Sequence, residues 1–214
     1  MDPLFYGFAL SVFSLFLLLI NAILFSSKVK KFNNQVYSYV AFYLVALFIV
    51  ELFCNVIGYM KPGANFFLSH FYFNAQFVLL SAVFYRLFKN QKLKKIIIVN
   101  YIIVTLIIVG MYVLDTDSFW QFNLFEIAAT SLLLIVYALI HFYNTLGEKK
   151  SYFYLNIGMI LYVLCSSVIF LFGNYELVFI EDPYIDIWIF NTIFYIIYQV
   201  LIFMEWKYIN KHGL

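Results

Sequence analysis

The sequence predicts an all-α integral membrane protein, a bundle of seven transmembrane helices. Of its 214 residues, 65% are hydrophobic and only 11% are charged, whereas an ordinary soluble domain is roughly 25% charged. Long apolar runs recur along the chain, and each is close to the roughly 20 residues that a helix needs to span a bilayer. A soluble core of this size could not bury so much apolar surface, so we expect lipid to cover it.

The apolar runs predict seven spans in a single membrane domain, and we expect no soluble domain beside them. The first run follows an N-terminus with Asp2 and no basic residue. It therefore lacks the basic region of a secretory signal and should remain as a helix. A tight turn, Lys61-Pro62-Gly63, separates the second run from the third. The predicted spans are about 4–25, 36–60, 65–87, 96–114, 119–142, 152–172 and 187–204.

The connections between the later spans alternate in charge. The basic segment Arg86–Lys95 precedes the fourth span, and an acidic turn with Asp115 and Asp117 precedes the fifth. The sixth span follows Glu148–Lys150, and the seventh follows an acidic loop, Gly173–Asp186. This alternation is typical of a chain that crosses a membrane repeatedly.

Basic residues collect on one side of this arrangement. Of the 13 lysines and arginines, only Lys61 lies on the other side. Because such residues mark cytoplasmic loops, we predict an external N-terminus and a cytoplasmic C-terminus. We expect a multi-pass protein of a cell membrane, the bacterial inner membrane. The segregated residues are Lys28, Lys30, Lys31, Arg86, Lys89, Lys92, Lys94, Lys95, Lys149, Lys150, Lys207 and Lys211.

The hairpin from Glu51 to Asn74 carries the most informative polar residues. Glu51 and Asn55 lie one turn apart on the second span, and His70 and Asn74 lie one turn apart on the third. Residues at i and i+4 share a helix face, so each span offers one polar edge. An ionisable group at bilayer depth is costly and indicates a functional site.

Counting helix rise from the ends of the spans brings further polar residues to the same depth. Glu126 on the fifth span and Asn191 and Tyr195 on the seventh match the hairpin residues. We therefore predict a polar layer that forms an outward-opening pocket, roofed by the loop Gly173–Asp186. Its predicted ligand or proton site comprises Glu51, Asn55, His70, Asn74, Glu126, Asn191 and Tyr195. The fourth span has few polar residues beyond its first turn, and we expect it to face lipid most.

Several familiar classes of membrane protein are disfavoured by specific absences. The three histidines, His70, His141 and His212, are predicted at different depths, so they cannot supply the converging ligands of a zinc hydrolase. The seventh span lacks the mid-membrane lysine of a retinal protein, and no proline adjoins a glutamine as in proline-glutamine-loop carriers. The two cysteines, Cys54 and Cys165, form no metal-binding motif. We predict no metal, no cofactor and no catalytic residue.

Three functions from different classes remain. The first is a membrane sensor or accessory signalling subunit that binds a small external ligand and passes its state to a separate cytoplasmic protein. The second is a small proton-coupled transporter, and the third is an intramembrane lipid-modifying enzyme that uses a carboxyl–imidazole pair. We rank them in that order, because no nucleophile accompanies the pair and the spans lack the internal breaks of carriers. The residues predicted to contact the partner or anionic lipid are Arg86, Lys89, Lys92, Lys94 and Lys95; nucleic acid is disfavoured, and the oligomeric state stays open.

Overall fold

The computed structural model describes residues 3–61, 64–145, 152–173 and 187–213, and this part of the chain is helical without any strand. The predicted turn residues Pro62 and Gly63, the pair Lys149 and Lys150, and positions 174–186 of the acidic loop lie outside the described residues. A short 3-10 helix, Thr116–Trp120, precedes α6. The α-helices are α1 (Pro3–Ser27), α2 (Val29–Phe32), α3 (Gln35–Met60), α4 (Leu68–Leu87), α5 (Gln91–Leu114), α6 (Leu124–Asn144), α7 (Phe153–Gly173) and α8 (Ile187–His212).

Asparagine side chains set where three of the long helices begin. The Asn34 side chain accepts hydrogen bonds from backbone amides in the first turn of α3. Likewise, the Asn90 side chain accepts from the Lys92 amide of α5, and the Asn123 side chain accepts from the Glu126 amide of α6. Asparagine is among the best N-cap residues because its side chain satisfies amides that have no partner within the helix. These caps move two boundaries from the predicted ones: α5 begins at Gln91, inside the basic segment, and α6 begins at Leu124 rather than near 119.

Six of the described helices are long and apolar enough to cross a membrane. Large apolar side chains in their middle turns are exposed on the protein surface, among them Phe16, Phe42, Leu106 and Leu132, which are 55–66% exposed. Such a surface fits a multi-pass protein in a lipid bilayer. The six segments are Tyr6–Ser27, Gln35–Met60, Gln91–Leu114, Leu124–Asn144, Phe153–Phe170 and Ile189–His212.

The long helices form a ring with one helix outside it. α1 packs against α3 and α8, α3 against α4, α4 against α6, α6 against α7, and α7 against α8. α5 covers the outer side of α4, and only 17% of its most apolar segment is buried, the smallest share among the six candidates. The prediction that the fourth span is the most lipid-facing is therefore confirmed.

α4 is the one long helix of the described chain that is absent from those six. It has 20 residues and more than half of them are buried, including Ser69, His70 and Gln76. A helix enclosed by protein can carry polar groups on several faces, whereas a lipid-facing helix cannot. Its lower apolarity thus follows from its position between α3, α5 and α6.

The first and last long helices run parallel. Asn21 bonds to Gln199, the Leu24 carbonyl accepts from Trp206, and Lys28 donates to Asn210. Consecutive long helices joined by short connections are antiparallel, so α1, α4, α6 and α8 end at one end of the bundle. We call this the basic end, because it carries the described residues of the basic segment and Lys207 and Lys211.

α8 continues well beyond the predicted end of the seventh span. The residues after Met204, which lie beyond the predicted span, are helical to His212. Glu205 is fully buried, and its Oε2 accepts hydrogen bonds from the Tyr154 amide at 2.8 Å and the Leu155 amide at 3.3 Å. A carboxylate is well suited to the first turn of a helix, where amides lack partners and the helix dipole is positive. Glu205 therefore fastens α8 to the beginning of α7.

Two glycines in the long helices give a matched test of this packing. A Cβ at Gly158 of α7 would lie 2.9 Å from the Tyr198 ring and 3.1 Å from Leu201 Cβ on α8, whereas a Cβ at Gly110 of α5 would meet nothing within 4 Å. We expect Gly158→Ala to lower the free energy of unfolding by about 1–3 kcal/mol through overpacking. Gly110→Ala should leave it unchanged or raise it by up to about 1 kcal/mol. Denaturant unfolding of the purified variants in detergent measures both; equal effects would contradict the close contact of α7 with α8.

Candidate functional site

Polar residues of α4 point in two opposite directions. His70 and Asn74 share one face, and Tyr72 and Gln76 share another, because successive residues of an α-helix are rotated by about 100°. The first pair faces α5 and α6, where its bonds go to Tyr112 and Glu126. Tyr72 bonds to Tyr162 of α7. Each face belongs to a separate buried cluster.

The first cluster, which we call the His70–Glu126 cluster, is held together by short hydrogen bonds. His70 Nδ1 lies 2.7 Å from Glu126 Oε2 and 2.7 Å from the Tyr112 hydroxyl. Asn74 donates to Glu126 Oε1, and the Tyr112 hydroxyl donates to Oε2. His70 and Glu126 are 4% and 1% exposed, so the pair is shielded from solvent and its loss would be costly.

The backbone around this pair sets its protonation pattern. His70 Nε2 lies 2.9 Å from the Phe119 carbonyl oxygen, which can only accept, so Nε2 carries a hydrogen. The Nδ1–Oε2 contact is then a hydrogen bond only if one proton lies between the two atoms. Asn123 orients the carboxyl by capping α6 through the Glu126 amide at 3.1 Å. The cluster joins α4, α5, α6 and the 3-10 helix, and the ring of Phe119 covers His70 at 5.1 Å.

The second cluster surrounds Glu51 and is rich in tyrosine. The Tyr43 and Tyr198 hydroxyls lie 3.1 Å apart, and those of Tyr72 and Tyr162 lie 2.9 Å apart. The rings of Tyr162 and Tyr198 stack with a centroid distance of 5.4 Å. The half-buried Glu51 carboxyl interacts electrostatically with four buried phenols, and we call the whole group the Glu51–tyrosine cluster: Glu51, Tyr43, Tyr72, Tyr162, Tyr195 and Tyr198.

This second cluster is incompletely hydrogen-bonded. Within the described residues, the Glu51 carboxyl forms no hydrogen bond and no ion pair; only its backbone carbonyl accepts, from Asn55. The Asn191 side-chain oxygen is enclosed without a hydrogen-bond partner in this part of the chain. The Tyr195 and Ser166 hydroxyls are also enclosed, and they lie beside Tyr72 and Tyr162 respectively without forming a well-aligned hydrogen bond. Buried polar atoms usually have a partner, and those that lack one require an explanation.

The predicted site residues are divided between the two clusters. His70, Asn74 and Glu126 come together in the first. Glu51 and Tyr195 belong to the second, with Asn191 one turn from Tyr195 on α8. His70 therefore pairs with Glu126 and not with Glu51.

Asn55, the remaining predicted site residue, bonds to another helix. Its side-chain oxygen accepts from Ser11 of α1 at 2.7 Å. It therefore joins α3 to α1 and contacts neither cluster through this bond.

The basic residues lie where the sequence placed them, around the connection between α4 and α5. Arg86, Lys89, Lys92 and Lys95 are exposed, and Lys94 is half-buried with its Nζ 5.4 Å from the Tyr85 ring centre. The start of α5 at Gln91 places three of these lysines on its first turns. The segment presents concentrated positive charge at the basic end.

Sequence reasoning missed several residues of these clusters. Tyr112 was passed over because α5 has so few other polar residues. Tyr43, Tyr72 and Tyr162 were not distinguished from the many other aromatic residues. Glu205 lies one residue beyond the predicted seventh span, although it continues the helical spacing of Tyr195 and Tyr198; extending that spacing by two turns finds it.

The arrangement limits the chemistry that either cluster can perform. Among the described residues, no group of three or more histidine, cysteine, aspartate or glutamate side chains could hold a metal ion. In comparisons with protein-family models, curated proteins and solved structures, none matches the chain. The interpretation of the clusters therefore depends on their geometry alone.

A double-mutant cycle tests the first cluster. We expect His70→Ala to lower the free energy of unfolding by about 3–5 kcal/mol, because it leaves Glu126 buried without its partner. In the double variant with Glu126→Gln the loss should be smaller than the sum of the single losses, with a coupling of about 1–3 kcal/mol. Denaturant unfolding in detergent measures each value.

His141→Ala is the control for this cycle. His141 is also 4% exposed, but its Nδ1 has no partner among the described residues. We expect it to show no such coupling to Glu126→Gln. Losses at His70 and Glu126 that add to within about 0.5 kcal/mol would contradict a stabilising pair.

Proposed function

We propose that the protein is a membrane sensor or accessory signalling subunit, with the Glu51–tyrosine cluster as its ligand site and a separate cytoplasmic protein as its partner. The observation that carries the proposal is the contrast between the two clusters. The His70–Glu126 cluster satisfies its polar atoms within the protein, as a stabilising cluster does. Among the described residues, the Glu51–tyrosine cluster has an unpaired carboxyl and enclosed oxygens without well-formed hydrogen bonds, as expected of a site that receives a ligand.

In this proposal all seven long helices span the bilayer, α4 included, with the N-terminus outside and the basic end in the cytoplasm. The parallel course of α1 and α8 supports an odd number of spans. The burial of α4 explains why its composition is less apolar than that of a lipid-exposed span. The exposed basic residues at one end support the orientation.

The long helices that carry the ligand site also reach the basic end. α3 and α8 are each continuous over 26 residues. The buried face of α8 carries Tyr195 and Tyr198 at the cluster and Glu205 at the beginning of α7. A ligand that moves Tyr195 therefore acts on a helix fastened to the basic end, where the basic segment Arg86–Lys95 would contact an acidic partner.

A small proton-coupled transporter is the alternative, and one observation favours it. Polar side chains continue along the buried face of α8 from Asn191 through Gln199 to Glu205, and Gln199 accepts from Asn21 of α1 at 2.9 Å. Carriers, however, commonly place their sites at broken helices, and α3 and α8 are unbroken here. The sensor proposal is accordingly the stronger of the two.

Site-specific photocrosslinking in the organism that encodes the chain tests the proposal. A photoreactive residue at Lys92, Lys95 or Lys211 should capture one protein of defined mass. The yield should change by about fivefold or more in Glu51→Gln, the scale of an ordinary allosteric coupling. The photoreactive residue placed at Leu106 is the control. Leu106 is 66% exposed and also lies on α5, but it is far from the basic end, so this variant should capture no protein.

Proton flux into proteoliposomes separates the two functions. A sensor should give the same flux as protein-free liposomes, in the wild type and in Glu51→Gln. Substrate-dependent flux that Glu51→Gln abolishes, together with no capture from the basic end, would overturn the sensor proposal in favour of transport.

A further inference from the structure

We infer that the Glu51–tyrosine cluster binds a monovalent inorganic cation of the size of sodium, held by the Glu51 carboxylate and by the oxygens of Asn191, Tyr195 and Ser166. This inference rests on the proposed function in one respect, namely that the same cluster is the ligand site. It adds the chemical class of the ligand.

The ionised form of the Glu51 carboxyl would give the cluster one negative charge, which a cation would neutralise. An ionised carboxylate inside a bilayer needs a positive partner. The described neighbours that interact with Glu51 are the phenols Tyr43, Tyr72, Tyr162 and Tyr195 and the thiol Cys54, none of which is a cation. His70 is already paired with Glu126. A single negative charge surrounded by neutral oxygens matches a single positive charge.

Helix geometry brings the Asn191 side-chain oxygen to the level of Glu51. The hydrogen bond between Tyr43 and Tyr198 aligns antiparallel α3 and α8 at that point. Glu51 lies about two turns from Tyr43 along α3, and Asn191 lies about two turns from Tyr198 in the same direction along the bundle. The two side chains are therefore at one level of the bundle.

The third helix of the site is α7. Tyr162 stacks on Tyr198 and its ring lies 5.0 Å from that of Tyr195, and Ser166 lies one turn further along α7. Tyr195 and Ser166 are 4% and 3% exposed, and their hydroxyls lack well-formed hydrogen bonds among the described residues. Two helices, α7 and α8, thus place enclosed oxygens within about one and a half turns of the level of Glu51 on α3.

The chemistry of these atoms excludes other ligand classes. Calcium and magnesium sites in proteins commonly use several carboxylates, and among the described residues Glu51 is the only carboxylate of the cluster. Transition metals prefer several nitrogen and sulfur ligands; the described neighbours of Glu51 offer one thiol, that of Cys54, and the imidazole of His70 is paired with Glu126. An organic ammonium ion would need open aromatic faces, but the faces of Tyr162 and Tyr198 are stacked on each other.

Equilibrium binding of radioactive sodium to the purified chain in nanodiscs, in choline buffer, tests the inference. We expect saturable binding that is lost in Glu51→Gln. Tyr195→Phe should weaken it by roughly tenfold, as expected for the loss of one ligand worth about 1.4 kcal/mol. Tyr137→Phe is the matched control and should bind as the wild type does, because Tyr137 is equally buried but its hydroxyl bonds to Asn100, outside the cluster.

Three outcomes would overturn the inference. The first is the absence of sodium binding at pH values where the wild type is folded, which would leave Glu51 with a proton as its partner. The second is a site that methylammonium saturates but sodium does not. The third is sodium binding that persists in the Glu51→Gln variant. Glu51→Asp keeps the charge and should restore measurable binding, so a folding defect in Glu51→Gln can be recognised by circular dichroism and by this rescue.

The crosslinking experiment keeps this inference separate from the proposed function. If sodium does not bind but capture at the basic end still depends on Glu51, the cation inference fails and the sensor proposal stands. If sodium binds and no protein is captured, the cation site stands and the sensor proposal fails.

Discussion

The constraint on which the rest of the structure depends is that polar groups within a bilayer must find partners in the protein, because lipid offers none. α4 meets this constraint by lying inside the bundle. Its His70 and Asn74 bond toward α5 and α6, while Tyr72 bonds toward α7. A lipid-exposed α4 would leave one of these faces in hydrocarbon. The course of the chain, with α5 on the outer side of α4, follows from the need to cover both faces.

The two clusters use that enclosed space differently, and the difference is what links structure to function. In the first, a carboxyl, an imidazole, a phenol and an amide satisfy one another, so the free energy of their interaction stabilises the fold and little is left for a ligand. In the second, phenols pair with phenols, and Glu51 and Tyr195 remain without well-formed bonds in the described chain. Polar groups that are enclosed and unpaired lower stability, and a ligand that pairs with them recovers that free energy as affinity.

The sequence predicted the all-helical character and the apolar spans, whereas the count of seven spans, their orientation and the role of the candidate site stay predictions. Apolar runs locate helices reliably because lipid exposure selects apolar residues, and α5 was correctly expected to face lipid. α4 is the exception, because it is long but less apolar than the other spans. The sequence indicated that its polar residues are important, but it did not indicate that they are divided between opposite faces of the helix. His70 lies one turn from Asn74 and also near Glu51 in depth, so depth alone could not choose between Glu51 and Glu126 as its partner. That choice depends on the rotation of α4 about its axis, which tertiary packing sets.

The position of Glu205 determines how a change at Glu51 would reach the basic end. Glu205 binds the first amides of α7, and about one turn further along α7 Gly158 lets this helix lie directly against Tyr198 and Leu201 of α8. Contacts this close at two points prevent α8 from sliding along α7 without breaking one of them. A ligand that displaces Tyr195 would therefore move α7 and α8 as a pair. The basic segment lies on α4 and α5, which are outside that pair. The movement would therefore change the distance between the two groups of helices at the basic end. A partner that contacts both groups would sense that change.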